Sequence, residues 1–168
     1  GRMDAASAVV QLFDTRDSEE ARRLANHLDA RNEERKTVQQ QIIDLAIAEL
    51  GEDPKDNYVA VSAGEGWHRG VIGIAASKIA ERVNRPCVVL SVDGEMAHGS
   101  GRSIEAYHLL NGLTACSDLF EKFGGHSHAA GITIKPERIT EFRRRLNEHA
   151  ASVLTPRDLE PLVNIDLE

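Results

Sequence analysis

One short segment in the middle of the chain has the composition of a phosphate-binding site. Residues 99–103 read Gly-Ser-Gly-Arg-Ser. The two glycines let a ligand approach the backbone closely, the hydroxyls of Ser100 and Ser103 can donate hydrogen bonds, and the guanidinium of Arg102 matches the geometry of phosphate oxygens. A tight turn with a solvent-exposed arginine would have the same spacing, so the pattern alone leaves both interpretations open.

A second glycine-rich segment covers residues 123–131 and reads Phe-Gly-Gly-His-Ser-His-Ala-Ala-Gly. A histidine behind paired glycines suits a polar group at a crowded backbone junction, so His126 is either a phosphate contact or a structural histidine. A zinc site that combines His126 with His128, His98 and a cysteine would not have the spacing of the usual ligand sets. We therefore expect no metal site in this chain.

The third segment, residues 64–73, reads Gly-Glu-Gly-Trp-His-Arg-Gly-Val-Ile-Gly and leads into a predicted helix. Glycines before a helix N-terminus allow backbone N–H groups to face an anion, although loops before helices are often rich in glycine. Trp67 is the only tryptophan, and it is either a core or hinge residue or a platform on which an unpaired base stacks. All three segments are predicted at strand ends, where loops present groups to ligands.

The distribution of charge restricts where an anion could bind. The 168 residues include 20 Lys and Arg against 27 Asp and Glu, a net charge of −7, which argues against a broad basic face for nucleic acid. Residues 57–135, however, contain seven basic and seven acidic side chains, together with five of the seven histidines. We expect an anion to bind in this neutral block, through a few placed groups.

A long uninterrupted helix is predicted before these segments. Asp17 is an N-cap candidate followed by acids in the first turn, and neither Gly nor Pro occurs from there to residue 50. Both ends of this stretch are amphipathic whereas residues 29–37 are nearly all polar, which is typical of a helix that bridges two packing partners. The apolar face of its far end is predicted to consist of Val38, Ile42, Leu45 and Ala46.

The remaining pattern predicts a fold of the α/β class with mixed α+β character. A short helix is expected over 4–13, and the later elements alternate in the order β-α-β-β-α-β-α. That order predicts a mixed β-sheet flanked by helices and preceded by the long interdomain connector helix. The predicted strands cover 58–63, 87–92, 95–100 and 130–134, the predicted helices cover 71–83, 104–113 and 136–149, and a strand without a partner is predicted over 162–166.

Several classes of function are not indicated by the sequence. It contains no Asp-x-Asp, Asp-His-His or P-loop pattern, so nothing in it predicts a metal pair or a nucleotide-binding loop for phosphodiester cleavage. On chemistry alone, this chain is expected to grip a ligand and not to cut it. The sequence has neither an apolar run long enough for a membrane span nor a signal-peptide pattern, and Cys87 and Cys116 are expected as free thiols in a reducing cytoplasm.

Taken together and in this order, the three segments resemble the DHH-associated domain of RecJ-type exonucleases. The likeness also includes Gly1-Arg2 and, in the predicted connector helix, Asn32 and Arg35. The remaining matching residues are Trp67, His68, Gly70, Val71, Ile72, Gly73 and Ile74, then Arg85 and Pro86, then Gly99 to Ser103, and finally Gly124, Gly125 and His126 with Ala129, Ala130 and Gly131.

The resemblance implies a parent enzyme that degrades single-stranded DNA from its 5′ end, with Mn²⁺ or Mg²⁺ held by a separate DHH domain. It implies that His126 contacts the scissile or adjacent phosphate and stabilises the charge that develops there. It also implies that Arg2 lies near the same pocket and that Trp67 and His68 form walls of the cleft. The implied phosphate-binding residues are Ser100, Gly101, Arg102, Ser103, Gly124 and Gly125.

The resemblance further implies a division of the chain and a set of partners. Residues 1–17 would end the DHH domain, 18–50 would form the connector helix, 51–150 the substrate-binding DHH-associated domain, and 151–168 the start of a following OB-like domain. The implied partners are single-stranded DNA and the DHH domain, with a single-strand-binding protein as a further candidate.

Three alternatives remain open at this point. The nearest is another DHH-family phosphoesterase, one that acts on short oligonucleotides or cyclic dinucleotides. The long connector and the predicted last strand favour the RecJ type, because they imply a larger enzyme of several domains. The other two alternatives are a non-catalytic module that binds nucleic acid or a partner protein, and a purely structural domain.

Overall fold

The computed structural model describes residues 6–50 and 57–161. Some of the predicted features lie outside the described residues. They are Arg2, the start of the first helix, the loop that follows residue 50, and the last strand over 162–166.

The fold is a five-stranded mixed sheet with helices on both faces, preceded by a long helix, which confirms the predicted fold class. The strand order is β1-β2-β3-β5-β4; β1 and β2 are parallel and the other neighbours are antiparallel. The elements are α1 (Ser7–Asp14), α2 (Ser18–Leu50), β1 (Ala60–Glu65), α3 (Ile72–Val83), β2 (Cys87–Asp93), β3 (Met96–Arg102), α4 (Leu109–Thr114), β4 (Phe120–Gly125), β5 (Ala129–Ile134) and α5 (Ile139–Val153), with 3-10 turns at Ser117–Leu119, Pro136–Arg138 and Pro156–Leu159.

The predicted long helix is present as α2, which is 33 residues long. Asp17 caps it as predicted, since its Oδ1 accepts a hydrogen bond of 2.8 Å from the backbone N–H of Glu19. The last turns pack on α3 and β1. The prediction that Leu45 faces the core is wrong: Leu45 is 58% exposed and Ile43 is buried instead, because α3 lies on the side of α2 that Ile43 faces. Across residues 6–50 and 57–161, no helix is long and apolar enough to cross a membrane.

The two faces of the sheet bury separate hydrophobic clusters. One face packs on α4 and α5, through residues such as Leu90, Ile132 and Phe142. The other packs on α3 and the end of α2, through residues such as Val89 and Ile79. Alternate residues of a strand point to opposite faces, and therefore β1 and β2, which are covered on both sides, contribute to both clusters.

The two cysteines belong to different clusters and are free thiols. Cys87 packs between the sheet and α3, whereas Cys116 packs on the α4–α5 side. Burial in apolar surroundings raises the pKa of the Cys87 thiol well above its ordinary value. This thiol therefore stays neutral and packs as a small apolar group.

Polar side chains of α5 and α2 cover the outer edge of β1. The side-chain amide of Asn147 donates to the carbonyl of Val59 (3.1 Å) and accepts from its N–H (3.0 Å). The carboxylate of Glu49, near the end of α2, accepts from Arg143 and from the buried hydroxyl of Ser62. Buried polar groups are costly when unpaired, so this network fixes the end of α2 against the sheet.

The structure corrects the prediction for residues 99–103, which were expected to form a turn at a strand end. Residues up to Arg102 belong to β3, the middle strand of the sheet, which pairs with β2 on one side and β5 on the other. Two glycines occur there because the core leaves no room for side chains. A Cβ on Gly99 would lie 2.7 Å from Ile132 Cγ1, and one on Gly101 would lie 2.8 Å from Leu109 Cδ2.

Among the later elements, one strand was missed and the start of one helix was predicted wrongly. The strand β4 was not predicted, because its two glycines lower strand propensity; its pairing with β5 maintains it. The helix expected from residue 104 begins only at Leu109. Before it, the hydroxyl of Ser103 donates to the carbonyl of Tyr107 (2.7 Å), and His108 caps the helix by accepting from the N–H of Asn111.

Candidate functional site

A groove of about 470 Å³ opens on the side of the sheet that α3 covers only in part. Strand alternation in β3 points Ala97 into the α4–α5 core, while His98, Ser100 and Arg102 lie on the opposite face. There α3 packs on β2 and β3, and the groove extends beyond it over β5 and β4. Its lining residues are Arg69, Ile72, His98, Gly99, Ser100, Lys122, Phe123, Gly124, Gly131, Ile132 and Thr133.

The floor of this groove is a cross-strand row that is nearly free of side chains. Ser100 on β3 is directly opposite Gly131 on β5, which in turn is opposite Gly124 on β4. A Cβ on Gly131 would have no neighbour closer than 3.9 Å, and one on Gly124 would have none within 4 Å. Core packing therefore does not require glycine at these two positions, in contrast to Gly99. Because Gly131 and Gly124 have no side chains, the backbone of the groove floor is open to a ligand.

Ser100 and Arg102 come together at the first turn of α3. The Arg102 Nη1 donates to the hydroxyl of Ser100 (3.1 Å) and to the carbonyl of Gly101 (2.7 Å). A Cβ on Gly73, in that turn, would lie 3.1 Å from Ser100 Oγ and 3.2 Å from Arg102 Nη2. Glycine at position 73 therefore lets the helix approach β3 closely, and the half-buried guanidinium is held between the helix and the strand.

Ser103 and His126 are placed differently from that pair. The Ser103 hydroxyl is engaged by the Tyr107 carbonyl, and Ser103 lines a second groove, shared with Arg102, that also contains Glu81 and Glu105. His126 is exposed and begins the β4–β5 hairpin loop, where its N–H donates to the carbonyl of Ala129 (2.8 Å).

The two adjacent glycines of the Gly-Gly-His motif have different structural roles. Gly125 has a φ of 152°, which L side chains rarely adopt, and a Cβ there would lie 2.4 Å from the carbonyl oxygen of Ala129. Gly125 is thus required by the hairpin itself, whereas Gly124 faces open space above the groove.

We expect Gly125→Ala to lower the free energy of unfolding by about 2 kcal/mol or more, because of backbone strain and the clash with the hairpin. Gly124→Ala is the matched control and should change it by less than about 0.5 kcal/mol. Chemical denaturation of both variants checks this difference. Equal stabilities would contradict the division of roles between the two glycines.

Trp67 and His68 are not among the residues that line the groove. Trp67 lies over the backbone of Gly64, where a Cβ would come within 2.1 Å of the indole ring, and it is partly buried against the α3 cluster. The Nδ1 of His68 accepts from the N–H of Gly70 (3.1 Å), and its carbonyl accepts from the N–H groups of residues 71 and 72. His68 therefore organises the start of α3.

Four polar or charged lining residues were not assigned to the site from the sequence. They are Arg69, His98, Lys122 and Thr133. The period-two alternation of the predicted strands could have indicated His98 and Thr133, which pair across β3 and β5. Lys122 could not be found in this way, because it lies on the strand that was not predicted.

The groove is distinguished from its neighbours by its charge. None of the described residues that line it is acidic, and it contains Arg69, Lys122 and His98. A neighbouring groove contains Glu65 and Asp93. In a chain with a net charge of −7, this groove is therefore the better environment for an anion.

Within the described residues, no three His, Cys, Asp or Glu side chains form a group that could hold a metal ion. Divalent metals that assist phosphodiester cleavage are held mainly by carboxylate and imidazole groups. The part of the chain that the structure describes therefore does not fit a catalytic metal pair.

Known proteins resemble this chain over nearly its whole length. It is 41% identical to the single-stranded-DNA-specific exonuclease RecJ of Bacillus subtilis, over 99% of this chain and 22% of that protein. It is 38% identical to the RecJ of Escherichia coli, over 95% of this chain and 29% of that protein. The chain thus spans less than a third of the length of either relative.

Solved structures give the same result. The crystal structure of RecJ from Thermus thermophilus in complex with Mg²⁺ matches with a TM-score of 0.77 and 28% identity, over 90% of this chain and 24% of that one. A structure of exonuclease RecJ bound to manganese matches with a TM-score of 0.80 and 28% identity, over 89% of this chain and 37% of that one. In addition, residues 56–152 match the family model of the DHHA1 domain. With that match over more than half of its length, the chain belongs to the DHHA1 domain family.

Proposed function

We propose that this chain is the substrate-binding part of a 5′-to-3′ exonuclease of single-stranded DNA. It grips the phosphates of the strand while a separate DHH domain hydrolyses the phosphodiester bond with Mn²⁺ or Mg²⁺. The observation that carries the proposal is the position of Ser100 in a groove that has a glycine floor and no acidic side chain among its described lining residues. Its hydroxyl accepts a hydrogen bond from Arg102, which lines the adjoining groove. The names of the relatives supply the substrate and the reaction.

In this proposal, Arg102 and Ser100 bind the terminal phosphate, because a guanidinium and a hydroxyl can both donate to its oxygens. Gly101, Gly124 and Gly125 contribute to phosphate binding through the backbone. Gly124 leaves the groove floor open, whereas Gly101 and Gly125 allow the shapes of β3 and of the hairpin. His126, two residues beyond the groove residue Gly124, contacts the scissile or adjacent phosphate. The remaining assignments are Ser103 as a further phosphate contact, Trp67 and His68 as walls of the cleft, and Arg2, which lies outside the described residues, as a neighbour of the same pocket.

We also propose the division of the chain after residues 17, 50 and 150, with the DHH domain before the connector helix and an OB-like domain from residue 151. Support comes from α1, where Val10 and Phe13 are 63% and 84% exposed. Large apolar side chains that project in this way are typical of a surface that another domain covers. The buried free thiols Cys87 and Cys116 favour the reducing cytoplasm as its location.

We expect this chain alone not to cleave DNA. The sequence contains no Asp-His-His or Asp-x-Asp pattern that could hold the metal ions which, in such reactions, activate the attacking water. Incubation of the pure chain with end-labelled single-stranded DNA and Mn²⁺ should leave the substrate intact. Digestion that a chelator abolishes would contradict this expectation.

A binding titration tests the proposed grip directly. The chain should bind a fluorescently labelled, 5′-phosphorylated oligothymidylate at low ionic strength, and the affinity should fall as salt rises, because bound phosphates release their counterions. Tighter binding of a cyclic dinucleotide than of the long strand would favour the alternative phosphoesterase. If the chain bound neither ligand, the proposal would fail.

A further inference from the structure

The end of the groove away from Arg102 carries two cations that the proposed phosphate grip does not use. They are Arg69, in the loop before α3, and Lys122, on β4. Both are exposed, and both line the groove. Arg69 also lines the neighbouring groove together with Asp93 and Gly94 of the β2–β3 turn, which places it near the start of β3.

A bulge in β4 is responsible for the presence of Lys122 in the groove. Phe120 pairs with Ile134, but the register then shifts by one residue, so that Lys122 and not Glu121 pairs with Thr133. Without this shift, strand alternation would place the Glu121 carboxylate on the groove face. Bulges commonly re-aim side chains beside functional sites. Here the bulge replaces a negative group on the groove face with a positive one.

The groove and the adjoining Arg102 carry positive groups at two separate places. His98, Thr133 and Lys122 form a cross-strand row that lies four residues along β3 from the backbone of Arg102, or about 13 Å, and the Arg102 guanidinium reaches back as far as Ser100. Between the two ends lies the glycine floor, on which a sugar or base can rest without meeting a side chain. Beyond Arg69, the adjoining groove contains Glu65 and Asp93, which would repel a phosphate that continued in that direction.

We propose that Arg69 and Lys122 bind a second phosphate of the same strand, at the opposite end of the groove from Arg102. The groove then selects an oligonucleotide over a mononucleotide, because only an oligonucleotide reaches both cationic ends. This inference rests on the proposed function, since it assumes that Arg102 and Ser100 hold the first phosphate.

The test compares two ligands and three variants. The ligands are 5′-phosphorylated thymidine mononucleotide and a 5′-phosphorylated oligothymidylate; the variants are Arg69→Ala, Lys122→Ala and the control Arg82→Ala. Arg82 is exposed in the last turn of α3, away from the groove, and its substitution makes the same change in net charge. The melting temperatures of all three variants should match that of the parent chain, which is the chain without a substitution.

The parent chain should bind the oligonucleotide more tightly than the mononucleotide. Arg69→Ala and Lys122→Ala should each weaken oligonucleotide binding several-fold and reduce the slope of log affinity against log salt by about 0.7, the value for one phosphate contact on a single strand. Their affinity for the mononucleotide should stay that of the parent chain. The Arg82→Ala control should keep the slope of log affinity against log salt that the parent chain has.

The outcomes separate this inference from the function on which it rests. If Arg69→Ala and Lys122→Ala bound the oligonucleotide with the same affinity and salt dependence as the Arg82→Ala control, the second phosphate position would be overturned. The proposed function would survive that result if Arg102→Ala still weakened binding. If Arg102→Ala had no effect, or if the parent chain bound no oligonucleotide, the proposed function would fail and this inference with it.

Discussion

Arg102→Ala is expected to weaken the binding of 5′-phosphorylated single-stranded DNA by about tenfold or more. A hydrogen bond to a charged group contributes about 1.5–3 kcal/mol, and the Arg102 guanidinium is already oriented by Ser100 and Gly101. Little side-chain freedom is therefore lost when a phosphate binds. Fluorescence anisotropy titrations of the chain with labelled oligothymidylate measure the effect.

Two comparisons separate the role of the guanidinium from that of charge alone. Arg102→Lys keeps the positive charge but loses the planar fork that matches phosphate oxygens, so its affinity should lie between those of the parent chain and Arg102→Ala. Arg102→Ala should also remove any preference for a 5′-phosphate over a 5′-hydroxyl end. An unchanged affinity and an unchanged preference would remove the assigned role of Arg102.

The hydrophobic patterns were sufficient to predict the fold class and four of the five strands. The spacing of apolar and polar residues along the chain predicted the apolar run of β2, the apolar stripe on one side of α3 and the polar middle of α2. The capping by Asp17 follows from the preference of Asp for the residue before a helix. These features depend on residues close together in the sequence. The side of α2 that α3 covers depends on tertiary packing, and for that reason the expectation for Leu45 was wrong.

Glycine was the main source of error at the candidate site. The glycines of residues 99–103 were interpreted as a turn signal, but Gly99 and Gly101 make room for Ile132 and Leu109 inside a central strand. A glycine that accommodates a distant side chain cannot be told from a turn glycine without the partner. The prediction that residues 99–103 could present an arginine and a serine to a ligand does not depend on that distinction, because β3 carries both on one face.

The groove itself could not be predicted from the sequence. Its floor exists only because Gly131 and Gly124, on different strands, are brought next to Ser100. Its charge depends on the register shift that presents Lys122 in place of Glu121. Strand register and bulges are set by pairing over the whole sheet, and one of the three strands involved has too little strand propensity to be recognised.

Gly131→Val is expected to abolish most of the binding of single-stranded DNA while leaving the fold intact. A Cβ at this position has no neighbour closer than 3.9 Å, and β-branched residues are favoured in strands, so the stability should be kept or slightly raised. The new side chain would stand on the groove floor between Ser100 and Gly124, where a ligand must lie. We expect a loss in affinity of about tenfold or more, equivalent to about 1.4 kcal/mol or more, in the same anisotropy titration.

Substitutions of graded size and on opposite faces make this prediction specific. Gly131→Ala adds only one methyl group and should have a smaller effect on binding than Gly131→Val. Gly99→Val is the contrasting case: its Cβ would point to the other face, 2.7 Å from Ile132 Cγ1, so it should lower the melting temperature because the core is overpacked. A Gly131→Val chain with the parent melting temperature and the parent affinity would show that DNA does not occupy the groove, since no strand could lie on a floor that a valine fills.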